Sequence, residues 1–187
     1  MKKRCQWANT NELEKEYHDN EWGIPVYDDN KLFELLVLES MQAGLSWSTI
    51  LAKRESMRFA FDDFNYMIIK DYNEAKKETL LNDSGIIRNK LKVNATISNA
   101  KAFIIIQEEY KSFSNYIWGF TNNEVLVNHW ENIEDVPAST ELSDKISKDL
   151  KKRGFKFLGT TTIYAYLQAI GIVDDHMEYC FKKEKTL

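Results

Sequence analysis

The sequence predicts an all-α fold in one compact domain, residues 1–187, and three observations carry that prediction. Breakers are scarce, with 7 Gly and 2 Pro in 187 residues, so long helices are favoured. Apolar residues recur at helical spacing in one segment after another, and no stretch alternates as a half-buried strand would. No internal repeat or low-complexity linker divides the chain. With 43% hydrophobic and 29% charged residues, it is an ordinary globular sequence, long enough to enclose a core.

Taken in order, residues 11–20 read as a short helix with Thr10 as a possible cap. Tyr17 and His18 lie about 100° apart around it and so face different surroundings. The break Glu21-Trp22-Gly23-Ile24-Pro25 follows. Asp28 or Asp29 caps the next helix, which Gly44 ends. Ser46 caps another, running to about Arg54. Phe59, Phe61, Phe64 and Tyr66 are expected to pack between helices. Residues 73–82 form an amphipathic helix with Ala75, Leu80 and Leu81 inward. After a turn at residues 83–88 comes a long helix over about 89–109. It carries two apolar stripes, Leu91, Ala95, Ala102, Ile105 and Val93, Ile97, Ala100, Ile104, the pattern of a central helix. Residues 111–120 form a short helix. Residues 121–138, with His129 and Pro137, read as a loop. A polar-faced helix over 139–152 stops at Gly154. Residues 160–170 are helical and end at Gly171. Asp174 is expected to cap a last short helix carrying His176 and Cys180.

Composition narrows the function classes. No apolar run of about 18 residues predicts a membrane span, and the N-terminus MKKRCQW lacks the apolar core of a secretory signal. Two distant cysteines argue against a disulfide framework. A cytoplasmic, monomeric protein is expected. The net charge of -4 argues against general affinity for polyanions, so any DNA contact relies on local positive charge.

Four features carry chemistry. On the stretch LFELLVLESMQAGLSW, residues 32–47, Leu32, Leu35, Leu36, Glu39 and Ala43 share one helix face. Glu39 is a carboxylate on an apolar face. It either reaches water at the margin or points into a pocket, where it must be protonated, paired or awaiting a cation. Second, Cys5, His18, His176 and Cys180 use both cysteines and two of the three histidines. A closed Cys2His2 zinc site and unrelated buried cysteines with surface histidines are equally open from spacing alone. Third, the turn Ser84-Gly85-Ile86-Ile87-Arg88 opens a helix near Lys90 and Lys92, and Lys151-Lys152-Arg153-Gly154-Phe155-Lys156 forms a second basic cluster. These suit a phosphate backbone, or are solvated helix ends. Fourth, Trp7, Tyr17, Trp22 and Trp47 either pack the core or wall a pocket for a flat, cationic ligand beside Glu39.

Together these stretches resemble a known family. Arg4-Cys5-x-Trp7, Tyr17-His18-Asp19-Asn20-Glu21-Trp22-Gly23, Gln42-Ala43-Gly44-Leu45-Ser46-Trp47 and Gly85-Ile86-Ile87-Arg88 are similar to blocks of the DNA-3-methyladenine glycosylase I family, within the helix-hairpin-helix superfamily. So are Lys152-Arg153-Gly154-Phe155-Lys156-Phe157, Gly159-Thr160-Thr161 and Asp175-His176. The blocks run in order through nearly the whole chain. The resemblance implies excision of 3-methyladenine from double-stranded alkylated DNA, with the free base as product. It implies a structural zinc on Cys5, His18, His176 and Cys180. It places Glu39 as the catalytic and base-recognising carboxylate, with Tyr17, Trp47, Trp22 and Trp7 around the base. It gives Gln42, Gly44, Leu45, Gly85 and Arg88 to DNA. A tyrosine common in the family three residues before Tyr17 is Glu14 here, and Glu14 is not assigned to the pocket.

Base flipping costs a few kcal/mol, offset in part by the Leu45 wedge and by stacking on Trp47. Relatives with this hairpin place an aspartate well downstream of it. Residues 85–133 contain none, so selectivity is expected to come from the pocket. A zinc-stabilised DNA-binding module without catalysis is the main rival. A small-molecule glycosidase would want two opposed carboxylates.

Overall fold

The all-α expectation holds: the computed structural model describes residues 2–183 and is built almost wholly of helices. They are α1 (Glu12–Asn20), α2 (Asp29–Gln42), α3 (Trp47–Ala60), α4 (Tyr66–Ile69) and α5 (Glu74–Asn82). Then come α6 (Lys90–Tyr110), α7 (Phe113–Gly119), α8 (Glu141–Lys152) and α9 (Thr160–Ala169). Two short strands, β1 (Leu126–Val127) and β2 (Val173–Asp174), pair in parallel. No helix among the described residues is long and apolar enough to cross a membrane.

Local chemistry sets the helix starts. Asn11 rather than Thr10 caps α1, accepting from the Glu14 N–H. Asp28 caps α2 and Ser46 caps α3. Thr140 and Ser143 form a reciprocal capping box on α8. Gly44 ends α2 in the left-handed region, at φ +79°.

Helix α2 is the core element, buried from Leu32 to Met41, with α3, α6, α7 and α9 packed around it. Phe33 meets Phe103 of α6 edge-on at 5.1 Å. Buried Glu34 is neutralised by Arg54 and Arg58 of α3, and Arg54 also forks onto Glu21, tying α3 to the end of α1.

Several expectations fail for packing reasons. Helix α3 continues past Arg54 to Ala60, because Arg54 is an inward-facing ion-pair residue and not an end. Phe61 and Phe64 are core, but Phe59 projects into solvent at 87% exposure. Ala75 is exposed on α5, whereas Leu80 is buried. Helix α6 is central, yet Leu91 and Ile105 are exposed, and Phe103 and Ile106 take the inner positions. The predicted last helix does not form. The Val173 strand pairs with Leu126, the chain stays extended through His176, and Cys180 follows in a turn with its N–H on the Met177 carbonyl.

Candidate base-binding pocket and metal centre

Tyr17 on α1, Glu39 on α2, Trp47 at the start of α3, and Trp7 and Trp22 from the flanking segments converge on one cavity of about 290 Å³. That is at the small end of ligand pockets, which run roughly 300–1,000 Å³, and suits a single flat ring system. The Tyr17 and Trp47 rings lie 5.2 Å apart, and Trp7 meets Trp22 edge-on at 5.1 Å.

Glu39 is 5% exposed and makes no hydrogen bond or ion pair with any described residue. Burial alone pushes its carboxyl up to about 8. At neutral pH the empty pocket therefore holds Glu39 mostly protonated, and an entering cation would draw out the carboxylate. The Tyr17 hydroxyl and Trp47 Nε1 are also buried without partners. Burial, then the Glu39 charge, holds Tyr17 neutral as a donor.

Gln42 joins the lining beside Glu39. An adjoining cleft shares Glu39 and Gln42 and opens at Gly44 and Leu45. Leu45 is 39% exposed there, its N–H closing the turn onto the Gln42 carbonyl at 2.7 Å. Glu39 is thus reached past an apolar side chain that stands in solvent.

Sequence reasoning missed several lining residues. Ile133 and Val136 arrive from the segment read only as loop, and Ala165, Gln168, Asp175 and Met177 from the C-terminal part. Asp175 is saturated. It accepts from Asn128 Nδ2 and Trp130 Nε1 on one oxygen, and from Tyr164 and Gln168 on the other. It ties the loop over the pocket and has no lone pair to spare for water. Glu14, left out of the pocket by the sequence reading, lines it. The available signal was its spacing of three from Tyr17, which puts both on one face of α1.

The metal-like set lies behind the aromatic wall. Ligand atoms of Cys5, His18 and Cys180 all lie within 4.8 Å of one another, and all three residues are buried. His176 stands beside them, its ring 5.2 Å from that of His18, and its Nε2 is buried without a partner. Both imidazoles are anchored through Nδ1, His18 by Asp19 at 2.9 Å and His176 by Asp174 at 2.8 Å. Carboxylates on Nδ1 are the usual support of metal-binding histidines; here they leave His18 Nε2 at 3.4 Å from Cys180 Sγ and His176 Nε2 without a partner among the described residues. The neighbouring Cys5 thiol, and with it the His18 imidazole, holds the Cys180 thiol below its ordinary value, the direction that favours metal binding. His176 and Cys180 do not meet through a helical turn, as the sequence suggested; an extended chain and a turn present them. Gly23, at φ +75°, makes room: a Cβ there would lie 2.5 Å from His176 Cε1. Trp22 packs on His176 at 4.6 Å and Trp7 on His18 at 5.5 Å, so this cluster backs the pocket wall.

The predicted DNA-facing residues separate into two groups. At the turn between α5 and α6, Gly85 donates to Asp83 at 2.7 Å and packs close to Ser56 of α3, while Arg88 is exposed with no partner among the described residues. Lys92, however, is 6% exposed and turned inward. In the second cluster Arg153 is occupied by Glu109 and Asp149, while Lys151, Lys152 and Lys156 are exposed.

A mostly helical protein with an aromatic pocket for one flat ring system, and with a carboxyl unpaired among the described residues, has the outline of a protein that handles single nucleobases. A family model for methyladenine glycosylases matches residues 7–183, and the chain belongs to that family; it is a glycosylase. DNA-3-methyladenine glycosylase 1 of Escherichia coli strain K12 is 44% identical over 95% of each chain. Among solved structures, a 3-methyladenine DNA glycosylase I at 44% identity matches with a TM-score of 0.93, covering 96% of this chain and 98% of that one. A tyrosine-to-phenylalanine variant of a 3-methyladenine DNA glycosylase I in complex with 3-methyladenine matches equally well, at 0.93 and 34% identity, covering 96% and 97%.

Proposed function

We propose that this protein is a base-excision repair glycosylase, acting as a cytoplasmic monomer. In this reading it flips 3-methyladenine out of alkylated duplex DNA and hydrolyses its N-glycosidic bond, leaving an abasic site. The observation that carries the reading is Glu39: a buried carboxyl with no partner among the described residues, beside the likewise unpartnered polar atoms of Tyr17 and Trp47 in a cavity of one-base size. The similar protein solved with 3-methyladenine supports the choice of base.

Methylation at N3 makes the nucleotide's adenine cationic. Glu39 supplies the counter-charge and an acceptor for the exocyclic amine, while Tyr17 and Trp47 enclose the ring. The C1′–N9 electron pair leaves with the purine and cancels its positive charge. Water adds at C1′ and loses a proton, so no general acid is needed. Outside the pocket, Leu45 fills the gap in the duplex, with Gln42 and Gly44 beside it, and the α5–turn–α6 hairpin with Gly85 and Arg88 holds phosphates.

Cys5, His18, His176 and Cys180 fit a structural zinc by donor type and by the orphaned His176 Nε2. Zinc there would brace the N-terminal segment against residues 176–180 and keep Trp7 and Trp22 in place.

Incubation with alkylated duplex DNA, followed by chromatography for free 3-methyladenine, tests the reading. Release by the wild type and slowed release by Glu39→Gln are expected. Tight DNA binding with no free base released would leave only the non-catalytic DNA-binding module.

A further inference from the structure

A second carboxylate faces the cavity. Glu14 lies one turn before Tyr17 on α1, is 7% exposed and lines the same space as Glu39. Its two oxygens have different surroundings. Oε1 accepts from Ser48 Oγ, which in turn accepts from Asn11 Nδ2 at 2.9 Å. Oε2 is shut off from solvent and has no partner among the described residues. The helix does not use the side chain, since α1 is capped by Asn11 through the Glu14 backbone N–H. Among the described residues no cation pairs with it. A buried carboxylate oxygen without a partner is costly to the folded protein. Here Ser48 fixes the rotamer, Glu14 forms part of the cavity wall, and its second oxygen is left unpaired among the described residues.

We infer that Glu14 is a second recognition carboxylate, whose Oε2 accepts a hydrogen bond from an N–H of the bound purine. The inference rests on the cavity being the base site proposed above. Two acidic walls then meet the ligand, and Tyr17 and Trp47 supply the neutral donors between them. Such a pocket favours a purine with N–H donors at two points of its edge, and favours it further while the N3-methylated nucleotide still carries its positive charge. It rejects a base of similar outline that turns a lone pair toward Glu14, because two acceptors would then be buried face to face. A carboxylate at this position is also a means of selection that an aromatic hydroxyl lacks, since it adds charge as well as a hydrogen bond.

Isothermal titration with free 3-methyladenine and with adenine, together with single-turnover excision from alkylated duplex DNA, tests this on wild type, Glu14→Gln, Ser48→Ala and Glu39→Gln. Thermal melts serve as the fold control. Glu14→Gln keeps the shape and the Ser48 contact but turns Oε2 into a donor. It should lose about tenfold in affinity for 3-methyladenine, more than it loses for adenine, with its melting temperature little changed. Ser48→Ala, which only frees the Glu14 rotamer, should lose less, roughly threefold. Wild-type affinity in Glu14→Gln alongside a loss in Glu39→Gln would overturn the inference and leave the pocket reading standing. Unchanged affinity in both would overturn the pocket reading and the inference with it. Equal losses for 3-methyladenine and adenine would mean a loosened wall, not a contact, and would also overturn it. Should Glu14→Gln fail to fold, Ser48→Ala decides, and unchanged affinity there refutes the role.

Discussion

The Lys92 ammonium on α6 donates to the Ala43 carbonyl at 2.7 Å, at the point where α2 gives way to the exposed Leu45 turn. A second bond, to the Met41 carbonyl at 2.7 Å, makes Lys92 a side-chain cap on the C-terminus of α2. The helix dipole favours a cation there, and the two carbonyls satisfy it, although burial lowers its affinity for the proton. The residue is therefore a brace for the turn and not a phosphate contact.

Lys92→Met should accordingly separate two activities. Free 3-methyladenine binding should stay near wild type, because Glu39 lies a full turn away from the break. Excision from duplex DNA should fall about tenfold or more, as the Gly44–Leu45 turn loosens and the wedge loses its seat. The fold should lose on the order of 1–3 kcal/mol for the lost charged hydrogen bonds. Parallel calorimetry and single-turnover kinetics check this, and equal losses in both would mean that the turn is not rigidified by Lys92.

Glu39 predicts a pH-dependent stability. Its folded-state value of about 8 lies above the roughly 4.3 of an unfolded glutamate. Between those values the folded protein binds the extra proton, so the contribution of this group is full below about pH 4 and is lost as pH rises to about 8. Glu39→Gln removes the loss. It should be more stable than wild type above pH 8, by on the order of 5 kcal/mol, with little difference at pH 4. Denaturant melts from pH 4 to pH 9 measure this. The same variant should bind 3-methyladenine more weakly, so function and stability move in opposite directions.

One zinc per chain is expected by elemental analysis of protein purified without chelator. Structural zinc contributes on the order of 10 kcal/mol to folding, so Cys180→Ala should lower thermal stability by tens of degrees and not merely slow excision. His176→Ala should also lose metal, because its ring lies 5.2 Å from that of His18 and its Nε2 has no partner among the described residues. Full zinc content in His176→Ala would remove it from the ligand set.

Arg88→Glu should weaken binding to undamaged and alkylated duplex alike, by about tenfold, and reduce the salt dependence of binding by about one ion, as expected for one phosphate contact. The identity of the released base should not change, because phosphate contacts carry no sequence information. A changed spectrum of released bases at wild-type affinity would place Arg88 at the base and not at the backbone.

The sequence by itself determined most of the helices, several of their caps and most of the candidate residues. Asp28, Ser46 and Gly44 act through bonds within a few residues, and the apolar run from Leu32 to Leu38 makes α2 a core helix in any arrangement. Glu39 stood out because a charge on an apolar face is a local anomaly. Tertiary structure decided what depends on partners far along the chain. Lys92 looked like surface charge until the carbonyls of Met41 and Ala43, about fifty residues earlier, took it inward. Phe59 looked like core until α3 ran on and turned it to solvent. The segment with His176 looked helical until Leu126 offered it a strand partner, since a backbone hydrogen bond from a distant segment outweighs weak local propensity. Glu14 became a pocket residue only when α1 and α3 closed around the cavity, with Ser48 holding one of its oxygens and the other left unpaired among the described residues. Helix caps are written in neighbouring residues, whereas burial and orphaned polar atoms exist only once distant elements close around them.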